Sequence, residues 1–193
     1  MKEIRIHGRG GQGAVVTAEL FAVAAYKSGK YSLGFPFLGG GGERRGAPVQ
    51  AFVRLDDRPI RLRSKVYEPD YVIVLDPTLI SIVDVTAGLK PDAEIIINSE
   101  KSPQELGIPG HVKATSVPAS QIAMETMGIT IMNTAIMGAF AGLTGEFDID
   151  AIEQAIQEKF SSEVASKNIL AARSAYDHAA GIKKQQGGAS GGN

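Results

Sequence analysis

Cysteine and tryptophan are both missing from the 193 residues, and aromatic side chains make up only 6% of them. The absence of cysteine excludes disulfides, thiolate nucleophiles, Cys-ligated zinc and iron–sulfur clusters carried by this chain itself. Nor is there an excess of one charge. Twenty Lys and Arg stand against 21 Asp and Glu, for a formal net charge of −1, so the whole molecule has no pull on nucleic acid or anionic lipid. No stretch approaches the ~18 consecutive apolar residues of a membrane span, and the opening residues Met1 to Ile6 read as a charged alternating strand. A cytoplasmic protein that contacts neither membrane nor nucleic acid is expected.

The composition is globular: 44% hydrophobic, 21% charged, with a mean hydropathy of zero. One compact domain is expected over residues 1–182, followed by a disordered glycine-rich tail over 183–193. Glu3 to His7 alternates as a strand, and Ala14 to Ser28 reads as a buried helix stopped by Gly29. Tyr71 to Leu75 and Glu94 to Ile97 are nearly continuous apolar runs, the pattern of parallel strands covered on both faces. Val112 to Val117 adds a further strand, followed by helical sequence through Met127. Asn133 is placed to cap a helix running to Leu143. Asp150 with Glu153 reads as a capping box for a helix carrying Ile149, Ile152, Ile156 and Phe160, and a last helix spans about Val164 to Ala180. Val49 to Leu55 and Ile60 to Arg63 read as an antiparallel hairpin turning at Asp56-Asp57-Arg58-Pro59. The expected fold class is α/β: a Rossmann-like, mostly parallel sheet flanked by helices, with an inserted antiparallel β-hairpin.

Two loops carry the chemistry. In Gly8-Arg9-Gly10-Gly11-Gln12-Gly13, a GxGxxG run sits where a strand hands over to a helix. Glycine allows left-handed turns and close approach of backbone N–H groups, while the helix N-terminus favours an anion such as phosphate. Walker A chemistry is excluded because Ala14-Val15 stands where Lys and Ser or Thr are required. A dinucleotide site calls for an acidic residue about 20 positions on, where the chain reads Gly29-Lys30-Tyr31-Ser32-Leu33. Lys30 or Ser32 holding a 2′-phosphate would rescue an NADP reading; close helix–strand packing is the bland alternative. Gln12 is a candidate hydrogen-bonding tip, and Arg9 either adds charge to a bound phosphate or is solvated.

The second loop runs Gly39-Gly40-Gly41-Gly42-Glu43-Arg44-Arg45-Gly46-Ala47-Pro48, with arginine forks suited to carboxylate or phosphate. From Arg44 to Lys65 seven cations stand against Asp56 and Asp57, a basic patch that the neutral total conceals. Arg54, Arg61 and Arg63 are read as alternating outward on the solvated face of the hairpin. His7, His111 and His178 lie far apart without metal-ligand spacing, and no serine has a nucleophile-elbow context. His7 reads as a hydrogen-bonded core neighbour, and Asp76 as facing the glycine-loop crevice or capping the turn after it.

Gly8 to Val15, Phe35-Pro36-Phe37, Glu43 to Val49, Tyr67-Glu68-Pro69-Asp70, Val74 to Pro77, Asp84 to Lys90 and Asn133 to Ala139 together resemble the gamma subunit of 2-oxoacid:ferredoxin oxidoreductases, over about residues 2–180. The pyruvate and 2-oxoisovalerate types look most similar. The resemblance implies a subunit, itself without catalytic residues, of an enzyme that oxidatively decarboxylates a 2-oxoacid to an acyl-CoA and CO2 and reduces ferredoxin. Thiamine diphosphate and the iron–sulfur clusters would then belong to companion alpha, beta and delta subunits. It also implies a place on the coenzyme A side of the active site, with Gly8, Arg9, Gly10, Gly11, Gln12, Gly13, Glu43, Arg45, Gly46 and Asn133 as the binding or interface residues. The family usually has a shorter segment where Gly39 to Gly42 stand. An independent NADP-dependent reductase and a non-enzymatic scaffold are the competing readings.

Overall fold

The computed structural model describes residues 1–37 and 44–189, with side chains to residue 185. Six strands form one sheet in the order β2-β3-β1-β4-β5-β6. They are β1 (Lys2–Arg9), β2 (Tyr31–Phe37), β3 (Pro48–Asp56), β4 (Tyr71–Val74), β5 (Glu94–Asn98) and β6 (Lys113–Val117). β1, β4, β5 and β6 are parallel neighbours, while β3 runs antiparallel to both β1 and β2. Five helices follow the pattern α1 (Ala14–Lys27), α2 (Ala119–Met127), α3 (Asn133–Thr144), α4 (Ile149–Lys159) and α5 (Ser162–Ala189).

The continuous apolar runs of β4 and β5 have a simple cause. Ile73 and Ile96 face a large core shared with all five helices, whereas Val72, Val74, Ile95 and Ile97 face a second core closed by Val85 and Ile108 from the connecting loops. Both faces are therefore dry, as parallel strands require. β1 divides differently: Ile4 and Ile6 point to the helices, and Arg5 and His7 are buried on the loop side.

Three sequence expectations need correction. The antiparallel hairpin is β2–β3, with Phe35 opposite Phe52, and residues 57–70 after β3 form a coil. Pro59, one residue before the expected second strand, and the exposed, uncovered Arg61 and Arg63 leave that segment without a pairing edge. The capping box at Asp150 and Glu153 does not form. Helix α4 begins after Asp148 without a side-chain cap, and both carboxylates instead turn to Arg173 on α5. Finally, α5 continues to Ala189, past the expected end at Ala180 and into the expected tail, because Lys183, Lys184 and Gln185 are good helix formers. Ser190 to Asn193 lie outside the described residues.

Candidate functional site

β1 and α1 meet at the glycine loop, and its glycines divide into two groups. Gly8 is buried at the end of β1 under Leu75 and Ala14, and Gly10 passes so close to the Arg44 carbonyl that no Cβ would fit. These two serve packing. Gly11 and Gly13 are left-handed, with φ of 89° and 79°, at the exposed tip and at the start of α1. A Cβ on Gly13 would lie 2.6 Å from Asn133 Nδ2.

The second loop is stitched onto the first by backbone. Gly10 N–H donates to Ala47 O at 2.8 Å and Gly46 N–H to Gly10 O at 2.9 Å, so Gly10 and Arg45 form a short parallel bridge. Gly46 itself is left-handed, at φ 80°. Arg44 and Arg45 are exposed, and the Arg45 side chain passes beside Gly11. Glu43 and the Gly39 to Gly42 run lie outside the described residues.

Arg9 and Gln12 converge on Asp76. The Asp76 Oδ2 atom accepts Arg9 Nε at 3.0 Å and Gln12 Nε2 at 2.8 Å, while Oδ1 accepts the N–H and hydroxyl of Thr78 at 3.0 and 2.6 Å. Arg9 also donates to Gly46 O at 3.1 Å and to Thr78 Oγ1 at 2.7 Å, and Gln12 Oε1 accepts Arg9 N–H at 2.8 Å. Partial burial pushes the Asp76 carboxyl upward, but the bonds from Thr78, Gln12 and Arg9 outweigh it and hold the group below the usual carboxylate range. Asp76 thus does both things expected of it: it faces the crevice and caps the 3-10 turn Pro77–Ser81. Arg9 and Gln12 are the struts of the loop, neither solvated nor a free tip.

Asn133, the first residue of α3, does not cap that helix. Its Nδ2 donates to Gly13 O at 2.9 Å and to the buried Thr17 hydroxyl at 2.7 Å, fixing the start of α1. No side chain caps α1 and no acidic residue stands in its first turn, so its leading N–H groups keep their attraction for an anion. Beside them a groove of about 530 Å³ is lined by Gly11, Gln12, Gly13, Val16, Ile131, Met132 and Val164. Asn133, Thr134 and Asn168 line it too, so it combines polar groups with apolar side chains.

The 129–132 segment escaped the sequence reading. Its signal was present: Ile129 and Ile131, at 47% and 57% exposure, are apolar residues in a coil with no core to enter.

Other candidates are placed elsewhere. Lys30 lies at the opposite end of the sheet, where its Nζ bonds Glu146 O at 2.7 Å and Oε2 at 2.9 Å, and Ser32 Oγ donates to Ala22 O at 2.5 Å. Neither reaches the glycine loop, which removes the support for an NADP 2′-phosphate. His7 is buried and accepts Arg5 Nε–H at 3.1 Å on Nε2. Desolvation first, then the Arg5 and Lys65 charges, lower its pKa to about 3. Among the described residues no cluster of His, Asp and Glu could hold a metal ion, and no helix is long and apolar enough to cross a membrane.

Residues 3–178 match the family model of pyruvate ferredoxin/flavodoxin oxidoreductase. The chain is 52% identical over 180 residues to the pyruvate/ketoisovalerate oxidoreductases common subunit gamma of Pyrococcus furiosus, covering 92% of this chain and 96% of that one. It is 52% identical over 177 residues to pyruvate synthase subunit PorC of Methanothermobacter thermautotrophicus, at 92% and 95% coverage. The crystal structure of pyruvate oxidoreductase subunit PORC from Thermotoga maritima superimposes with a TM-score of 0.80 at 36% identity, covering 91% of this chain and 95% of that one. A 2-oxoglutarate:ferredoxin oxidoreductase from Magnetococcus marinus, solved with 2-oxoglutarate, coenzyme A and succinyl-CoA bound, shares the fold at a TM-score of 0.71 and 22% identity, over 95% of this chain and 31% of that one.

Proposed function

This chain belongs to the pyruvate ferredoxin/flavodoxin oxidoreductase family as a gamma subunit, and from that premise we propose that its glycine loop and adjoining groove receive coenzyme A at an active site completed by companion chains. The enzyme is a 2-oxoacid:ferredoxin oxidoreductase, with pyruvate as the 2-oxoacid in this reading. It decarboxylates the acid oxidatively, passes the acyl group to coenzyme A and the electrons to ferredoxin. Thiamine diphosphate and the clusters sit in the alpha, beta and delta subunits, in keeping with a chain that has no thiolate to ligate iron.

The observation that carries the coenzyme A reading is the groove of mixed polar and apolar lining at the start of α1. The uncapped start of α1, with Arg45 lying beside Gly11, suits phosphate. The apolar stretch formed by Val16, Ile131, Met132 and Val164 suits the pantetheine arm. The chain's own part is binding and orientation, through Asp76 and Asn133 holding the loop and Arg45 supplying charge.

The test uses the intact multi-subunit enzyme carrying Arg45→Ala or Ile131→Asp. The KM for coenzyme A is expected to rise about tenfold, the loss of one charge-assisted contact, while the KM for pyruvate stays within twofold. An unchanged coenzyme A KM in both variants overturns the reading.

A further inference from the structure

The basic patch noted in the sequence is not a strand face. Residues 57–70 form a coil across the loop side of the sheet, and a buried arginine holds it there. Arg54, 1% exposed, is bound through Nε to Glu3 Oε1 at 2.8 Å. Its Nη1 donates to Leu62 O at 3.0 Å and to Ser64 O at 2.7 Å. With those two carbonyls turned inward and Val66 fully buried, Arg61 and Arg63 face solvent, as does Arg58.

Lys65 adds a fourth cation. Its Nζ lies 5.0 Å from the centre of the Phe37 ring and 5.8 Å from that of Tyr67. Both rings are exposed, Tyr67 at 70%, and Leu62 on the same coil is exposed at 48%. Among the described residues Arg58, Arg61, Arg63 and Lys65 form no ion pair. Against these four cations the coil sets two exposed carboxylates, Asp57 and Glu68, since Asp70 is paired with Lys2 and Lys90 and Asp56, just before the coil, with the Met1 amine at 3.1 Å.

We infer that this arm is a preformed docking surface for an acidic face of another resident subunit of the enzyme. Three features select that occupant. The unanswered positive charge calls for carboxylates. Arginines interleaved with exposed Tyr, Phe and Leu have the composition of a buried interface centre, which favours a permanent neighbour over a passing electron carrier. Fixing the coil through a buried guanidinium lowers the entropy that would otherwise be lost on docking. The inference rests on membership of a multi-subunit enzyme and is independent of the coenzyme A reading.

The experiment compares intact enzyme assembled with wild-type chain and with Arg61→Glu/Arg63→Glu, each with a tag on this subunit, washed at 50 to 500 mM salt. Companion subunits recovered with the variant are expected to fall at least tenfold at 150 mM, and wild-type recovery to fall as salt rises. Thermal unfolding of the free subunit is expected to agree between the two within about 2 °C; a variant that fails this control is replaced by Arg61→Gln/Arg63→Gln. Unchanged recovery at every salt overturns the inference. So does an intact assembly whose KM for ferredoxin, or whose retention on RNA or anionic vesicles, is the property that changes. A failure here leaves the coenzyme A KM untouched, so the two readings fall separately.

Discussion

His7 is the residue whose setting departs furthest from what its side chain prefers. Arg5 donates to Nε2, so the proton must sit on Nδ1 and the ring stays neutral, with a folded pKa of about 3. The unfolded chain binds a proton near pH 6.5 and the native one does not, so stability is full above that value and declines as pH falls toward 3. The urea midpoint of the free subunit should therefore be lower at pH 5 than at pH 7.5, and His7→Gln should remove most of that difference. A His7 imidazole seen by NMR to titrate near 6.5 in the folded protein would refute the argument. Gly13 makes the second case. Ala at φ 79°, with its Cβ driven into Asn133, should cost about 1–3 kcal/mol in denaturant unfolding. The sequence showed that glycines were needed in this loop. It could not show which of them face the groove, because Leu75 over Gly8 and the Arg44 carbonyl against Gly10 come from distant parts of the chain.

At the scale of elements, α3 is buried on every side, and α5 lies against it at Gly138 and Gly142. A Cβ at Gly138 would strike the Ala172 carbonyl of α5. Helix propensity alone says that Gly138→Ala should gain about 1 kcal/mol. Overpacking against a backbone oxygen opposes it by about 1–3 kcal/mol or more, so a lower urea midpoint is the expected outcome, and a raised one would mean that α5 can shift. The helices were legible from their apolar spacing and the central parallel strands from unbroken apolar runs, signals each segment carries by itself. β2 was not, since Gly34 and Pro36 interrupt Tyr31–Phe37. Both are tolerated there for reasons outside the strand: β2 is an edge strand, where proline costs no ladder bond to a further neighbour, and α1 crosses too close to Gly34 for a side chain. Arg54 illustrates the same limit. Alternation placed it outward with Arg61 and Arg63, whereas the coil after β3 folds back over it, and the guanidinium expected in solvent anchors that coil.

Across the whole molecule, the two ends of the sheet have separate tasks. At the carboxyl end of β1 and β4, Arg9, Gln12 and Asp76 brace the glycine loop. At the other end Glu146 joins three elements: it accepts Tyr71 OH at 2.8 Å from β4 and Lys30 Nζ at 2.9 Å ahead of β2, and it belongs to the α3–α4 connection. Burial raises the Glu146 pKa, but its bonds with Lys30 and Tyr71 pull it below the normal value, and burial together with Glu146 pushes the Tyr71 phenol up. A depressed carboxylate contributes stability that is present above the unfolded pKa and lost as pH falls through the folded one. Glu146→Gln should then cost roughly 1.5–3 kcal/mol at pH 7, as expected for hydrogen bonds to a charged group, and less near pH 3, while leaving the KM for coenzyme A in the intact enzyme unchanged. Asp76→Asn should do the reverse. The single amide oxygen of Asn can still accept from Thr78, so global stability should move by about 1 kcal/mol, but its NH2 then meets the donors Arg9 Nε and Gln12 Nε2, the loop loses its brace, and the coenzyme A KM should rise. Unfolding curves and steady-state kinetics on the two variants decide it: if Glu146→Gln raises the coenzyme A KM as much as Asp76→Asn does, the ends of the sheet are coupled and the division of tasks is wrong.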